Sequence, residues 1–189
     1  GVNGMTENRT GESSGADRNG RALPSTGVEL VERLARDGGA PAVIEIVGEG
    51  PRSISRSQLA AYVSVLADRL AEEGVDHGDR VAVCGPASAD WIASALAVIR
   101  IGAVVVPIDA QMEDDNLAHV LRDSAASCIF ADEDRGRRIR DLDLDRQPRV
   151  IPWSDTAGAS RRARDEASED TGEAGAIPPA EVDADEQAV

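Results

Sequence analysis

The sequence predicts an α/β fold built on a parallel β-α-β-α-β layer. Three observations carry this. Short apolar runs at Val81–Cys84, Ala103–Ile108 and Ser127–Ala131 alternate with two segments of helical period. The spacing between the runs suits crossover helices, which in such units are right-handed. Ala103–Ile108 is nearly unbroken in its apolarity, as expected for a strand buried on both faces.

The elements follow in order. A first helix is predicted over Val28–Arg36, with Ser25 or Thr26 near its start and Gly38-Gly39 after its end. Ala42–Val47 reads as a β-branched strand. Gly48-Glu49-Gly50-Pro51 reads as a turn, and Arg52–Ile54 as its hairpin return. Ser55-Arg56-Ser57-Gln58 has the form of a capping box. The helix it opens carries Leu59, Tyr62 or Val63, Leu66, Leu70 and Ala71 on one face, and Gly74 closes it as a left-handed residue. After the strand Val81–Cys84, Ser88 or Asp90 starts a helix bearing Trp91, Ile92, Leu96 and Ile99, which ends at Gly102. The strand Ala103–Ile108 follows. Met112–Arg122 is the next helix, with Glu113, Asp114 and Asp115 at its positive end. The strand Ser127–Ala131 completes the unit, with a further helix over Arg135–Leu142 and a further strand over Val150–Trp153.

Composition sets the outer limits. The 189 residues hold 35 acids against 20 basic residues, a net charge of −15, and every basic residue is arginine. Without lysine there is no Walker A loop and no Schiff-base chemistry. The acidic balance argues against nucleic acid as a partner. Residues 1–22 are polar and Gly/Ser-rich and read as a disordered tail. Residues 154–189 hold ten acids and three arginines with few large apolar residues, and read as an acidic flexible linker. The expected folded domain is therefore 23–153. No apolar leader stands at the start, and the run from Trp91 to Ile108 is broken by Arg100, Gly102 and Pro107, so neither a signal peptide nor a membrane span is expected.

Most apparent sites dissolve on inspection. Gly11-Glu12-Ser13-Ser14-Gly15 matches G-x-S-x-G, but a nucleophile elbow needs a preceding strand and a following helix. Gly85-Pro86-Ala87-Ser88 is not a dinucleotide-binding loop. Cys84, Cys128, His77 and His119 lack the short paired spacings of zinc sites. The cysteines read as reduced core residues and the histidines as surface ones. Asp132-Glu133-Asp134 follows a strand at the end where open sheets bind ligands, and reads as a solvated turn rather than a metal site. Arg135, Arg137, Arg138 and Arg140, with Asp141, Asp143 and Asp145, read as a mixed-charge surface, with anion or membrane-headgroup contact as the minority reading.

One series of residues has a wider likeness. Gly74-Val75-Asp76-His77-Gly78-Asp79-Arg80-Val81-Ala82-Val83 is followed by Trp91, then by Ala97-Val98-Ile99-Arg100-Ile101-Gly102-Ala103-Val104-Val105-Val106-Pro107-Ile108, then by His119-Val120-Leu121-Arg122-Asp123-Ser124. Taken together, over about 25–153, this closely resembles the N-terminal part of the AMP-forming acyl-CoA synthetases of the adenylate-forming superfamily. Pro107-Ile108-Asp109-Ala110-Gln111 looks most like the long-chain fatty-acyl branch. The resemblance implies the N-terminal subdomain of that fold and a two-step ligase. A carboxylate attacks the α-phosphate of Mg²⁺-bound ATP to give acyl-AMP and pyrophosphate; a thiol such as CoA then takes the acyl group. Fatty acid, ATP, Mg²⁺ and CoA are thus implied for the full-length enzyme.

The family's Pro-Lys-Gly phosphate loop, Tyr/Thr-Glu segment, ribose-binding Asp and C-terminal Lys have no counterpart in these residues. No catalytic, cofactor-binding or metal-binding residue is carried over, and the 189 residues alone are expected to be inactive and to bind none of the cofactors. Gly78, Gly102, Val104–Val106 and Trp91 take turn, strand and packing roles. Two further readings stand beside the fatty-acyl ligase: an amino-acid-activating adenylation domain, and a non-catalytic binding module derived from the family. The expected location is a bacterial cytoplasm, with peripheral membrane contact allowed by the arginine cluster.

Dense carboxylates without lysine point to salt adaptation, since salt screens their mutual repulsion. The expected outcome is an unfolding midpoint that rises between dilute buffer and molar KCl. An unchanged midpoint assigns the missing lysine to codon bias instead.

Overall fold

The computed structural model describes residues 26–36, 38–47 and 50–169. The expected tail 1–22, with its G-x-S-x-G match, lies outside them, as do residues 170–189 of the expected linker. Twelve elements are described, in the order α1 (Gly27–Arg36), β1 (Pro41–Val47), β2 (Gly50–Ser55), α2 (Arg56–Glu72), β3 (Arg80–Cys84), α3 (Ala89–Arg100), β4 (Val104–Ile108), α4 (Asp114–Ser124), β5 (Cys128–Ala131), α5 (Glu133–Arg140), β6 (Arg149–Pro152) and α6 (Trp153–Glu169). Among them no helix is long and apolar enough to cross a membrane.

Two sheets form. β1 and β2 pair antiparallel as the expected hairpin. The other four strands make a wholly parallel sheet in the order β4-β3-β5-β6. The α/β class and the parallel layer stand as the sequence predicted them. Because side chains alternate along a strand, each central strand feeds two cores. Val81, Val83, Cys128, Phe130 and Ile151 face one side, where they pack with Leu59, Val63, Leu66 and Leu70 of α2 and Ala93, Ala97 and Val98 of α3. Ala82, Cys84, Ile129 and Ala131 face the other, against Leu117 and Leu121 of α4 and Ile139 of α5.

Local signals account for the helix ends. The capping box at α2 is formed, with the Gln58 amide donating to Ser55 Oγ (3.2 Å) and the Ser55 amide to Gln58 Oε1 (2.9 Å). Gly74 ends that helix at φ +73°, a left-handed conformation that costs a side-chain-bearing residue. Ala125 does the same task for α4 at φ +50° without glycine's freedom.

Two expectations are corrected. Ala103–Ile108 was expected to be buried on both faces, but β4 is one of the two edge strands of the described sheet and Val104 is 49% exposed. Apolar continuity marks the strand and does not fix its place in the sheet; the strands covered on both sides are β3 and β5. Residues 154 onward were expected to be flexible linker, yet α6 runs from Trp153 to Glu169 and packs along α2. At its start Trp153 and Thr156 are buried and Ala157 is half-buried, while Ser154, Asp155, Arg161, Arg162 and Asp165 are exposed. Packing against α2 holds a segment whose composition alone reads as polar linker.

Two substitutions probe these assignments with opposite signs. Phe130→Ala, in a fully buried site on β5, should destabilise by roughly 3–5 kcal/mol in urea unfolding. Ala125→Gly should stabilise by about 1 kcal/mol, because it relieves the left-handed penalty.

Candidate functional site

The parallel sheet has a switch point. The connection leaving β3 passes over the face that holds α3, whereas the connection leaving β4 passes over the face that holds α4. In the order β4-β3-β5-β6 the chain moves one way from β3 and the other way from β5, so the switch point lies between β3 and β5. Beside it, at the carboxyl ends of β3 and β4, a crevice opens, at the end of the sheet where open α/β folds bind ligands. The crevice measures about 540 Å³ and is lined by Gly85, Pro86, Ala87 and Trp91 on the β3 side and by Pro107–Gln111 on the β4 side, with Arg135 reaching in from α5.

Each wall is fixed by identifiable bonds. On the β3 side Ser88 caps α3, its hydroxyl accepting from the Trp91 amide at 3.2 Å. The Ala89 amide donates to Glu45 of β1 at 2.5 Å, which ties the hairpin to the positive end of α3. Glu45 is held in turn by Arg52 across the hairpin, and Tyr62 of α2 donates to Asp90. Gly85 lies against the edge of the Trp153 ring, whose indole N–H donates to Ser94 Oγ of α3 at 2.8 Å. On the β4 side Asp109 accepts from the Gln111 amide at 2.8 Å, an Asx turn that shapes the loop. Arg135 donates to the Ala110 carbonyl at 3.3 Å, and Arg138 to the Met112 carbonyl and to Asp114.

The arginine cluster is therefore largely committed. Arg135 pairs with Asp132, Arg137 with Asp134 and Arg138 with Asp114. The expected partners Asp141, Asp143 and Asp145 are not the ones used, because α5 points its arginines back to its own first turn and across to α4. Asp132 is the N-cap of α5, accepting from the Arg135 amide at 2.8 Å, which explains Asp132-Glu133-Asp134 as helix-start chemistry. Among the described residues no group of three or more His, Cys, Asp or Glu is placed to hold a metal ion.

The remaining candidates stand apart. His77 and His119 are exposed, on the loop before β3 and on α4. Cys84 and Cys128 are free and buried, on opposite faces of the sheet. Burial pushes both thiols up, opposed at Cys84 by the Arg135 guanidinium and at Cys128 by a hydrogen bond from Ser127. Trp91, expected only to pack, is half-buried and also lines the crevice. Sequence reasoning missed Gly85 and Trp153 as partners; the one available signal was Gly-Pro directly after a strand.

With the geometry described, comparison with known proteins gives a consistent picture. The family model for AMP-binding enzymes matches residues 30–189. Malpibaldin synthetase of Mortierella alpina is 41% identical over 88 residues, which is 47% of this chain and 2% of that protein. Syringomycin synthase SyrB1 of Pseudomonas syringae pv. syringae is 38% identical over 86 residues, 46% of this chain and 14% of that one. The chain thus spans a small fraction of the length of these relatives. The solved Mycobacterium tuberculosis fatty acyl CoA synthetase shares the fold, with a TM-score of 0.62 and 21% identity over 74% of this chain and 28% of that one.

The raised thiols give a pH test. A group held protonated by the fold contributes stability below its ordinary pKa of 9.0 and loses it as pH rises from there through the folded value. Stability should therefore fall above pH 9.0, less steeply in a Cys84→Ala, Cys128→Ala double variant. A thiol reagent at neutral pH should label both cysteines only after urea is added.

Proposed function

The chain belongs to the AMP-binding enzyme family, and from that premise we propose that it is part of a ligase that activates a carboxylic acid as its adenylate. In that reaction a carboxylate oxygen attacks the α-phosphorus of ATP, the bond to pyrophosphate breaks, and an acyl-AMP anhydride forms. The acid we propose is an amino acid, handed on to a carrier-bound thiol within a larger synthetase. The observation that supports this is the likeness to hybrid polyketide synthase–nonribosomal peptide synthetases, at up to 32% identity, since a peptide synthetase activates amino acids.

A second reading keeps the fatty-acyl branch, with CoA as the acceptor. It is favoured by the resemblance carried by Pro107-Ile108-Asp109-Ala110-Gln111, which forms one wall of the crevice.

The described residues do not themselves fit a nucleotide triphosphate with its Mg²⁺. The crevice holds one arginine, already paired with Asp132 and bonded to the Ala110 carbonyl, and the whole sequence offers no lysine. Developing charge on a phosphoryl group needs donors free to meet it. We therefore assign the phosphate clamp to other segments of the protein. The role we assign to this segment is to present the crevice at the carboxyl ends of β3 and β4 as part of the wall that faces the ligands, with its loops already fixed before binding.

The test is acid-dependent exchange of labelled pyrophosphate into ATP by the intact gene product, run with panels of amino acids and of fatty acids. Exchange with an amino acid supports the first reading, and exchange with a fatty acid supports the second. No exchange with either overturns the ligase assignment.

A further inference from the structure

We propose that Trp153 is a positioning residue that clamps the elbow between β3 and α3, and so sets the shape of the crevice from outside it. The inference rests on the reading of that crevice as ligand-facing. Trp153 is not a crevice residue; it stands at the junction of β6 and α6, 7% exposed. The Cη2–Cζ3 edge of its ring abuts Gly85, the first residue beyond β3. A Cβ added at Gly85 would lie 2.7 Å from the Trp153 ring carbon Cζ3, and nearer still to Cη2, so glycine is required there by close approach.

The same side chain reaches the second turn of α3, where its indole N–H donates to the hydroxyl of Ser94 at 2.8 Å. Ser94 is fully buried. One rigid side chain therefore holds both ends of the elbow. Between those ends lie Pro86, Ala87 and Trp91, all lining the crevice. Trp153 is itself fixed at the start of α6, where Thr156 Oγ1 donates to its carbonyl at 3.0 Å, and α6 lies along α2. The opposite wall is fixed by other means, from α5 through Arg135 and Arg138. The placement of Trp91 relative to Gly85-Pro86 thus depends on a residue that lines neither wall.

Two variants of the intact protein test this. Gly85→Ala pushes the ring away, and Trp153→Phe removes the indole N–H while adding no bulk. The first readout is amide hydrogen exchange. In each variant the amides of 87–91 should exchange roughly tenfold faster while those of β5 stay unchanged, since opening is local. Unchanged exchange at 87–91, or a uniform rise that includes β5, overturns the proposal.

The second readout is turnover, varying acid, ATP and acceptor thiol in turn. At least one KM should rise about fivefold with little change in kcat, whereas simple loss of folded enzyme lowers kcat alone. An unmoved set of KM values overturns the positioning role. If the unmodified protein shows no acid-dependent exchange, the ligase reading fails, while the amide measurement still decides the clamp. If Gly85→Ala does not fold, Trp153→Phe decides alone.

Discussion

The burial of β3 and β5 on both faces is the constraint from which the rest of the structure follows. A parallel strand exposes no face that water can satisfy cheaply, so helices must cover both sides. Val81 and Val83 demand one cover, Ala82 and Cys84 the other. With only right-handed crossovers available, moving from β3 to β4 and back past β3 to β5 places α3 and α4 on opposite faces. The switch point between β3 and β5 is the geometric consequence. The crevice lies beside it, at the carboxyl ends of β3 and β4.

Side chains instead decide its shape. The ion pairs of α5 are partly exposed and individually worth little to stability. Their value here is positional, because Arg135 and Arg138 also hold carbonyls of the loop after β4. The Trp153–Ser94 bond differs in kind. It is buried at both ends, so losing one partner strands the other without water. The wall after β3 is thus held by a buried bond and the wall after β4 by more exposed ones.

The likeness to AMP-binding enzymes and the bottom-up reading meet at the same place. Family membership brings an adenylation reaction as its implication, and the described residues bring a scaffold whose crevice arginine, Arg135, is engaged with Asp132 and the Ala110 carbonyl. The synthetase relatives shift the finer reading toward amino acids, whereas the resemblance of the loop after β4 had pointed to fatty acids.

By itself the sequence determined the class and the elements up to β6, though not α6. Capping signals at Ser55, Ser88 and Gly74, and the alternation of apolar runs with helical periods, are local properties. They depend on a few neighbouring residues and need no fold to be read. Strand order, by contrast, was decided only in three dimensions. Val104–Val106 are as apolar as a central strand, yet β4 lies at the edge, because a run of valines records the wish to be buried and not which neighbours are present. The helix α6 escaped a compositional reading for a related reason. It packs along α2, and its Trp153 meets Gly85 and Ser94, 68 and 59 residues earlier in the chain; contacts over such distances leave no local pattern.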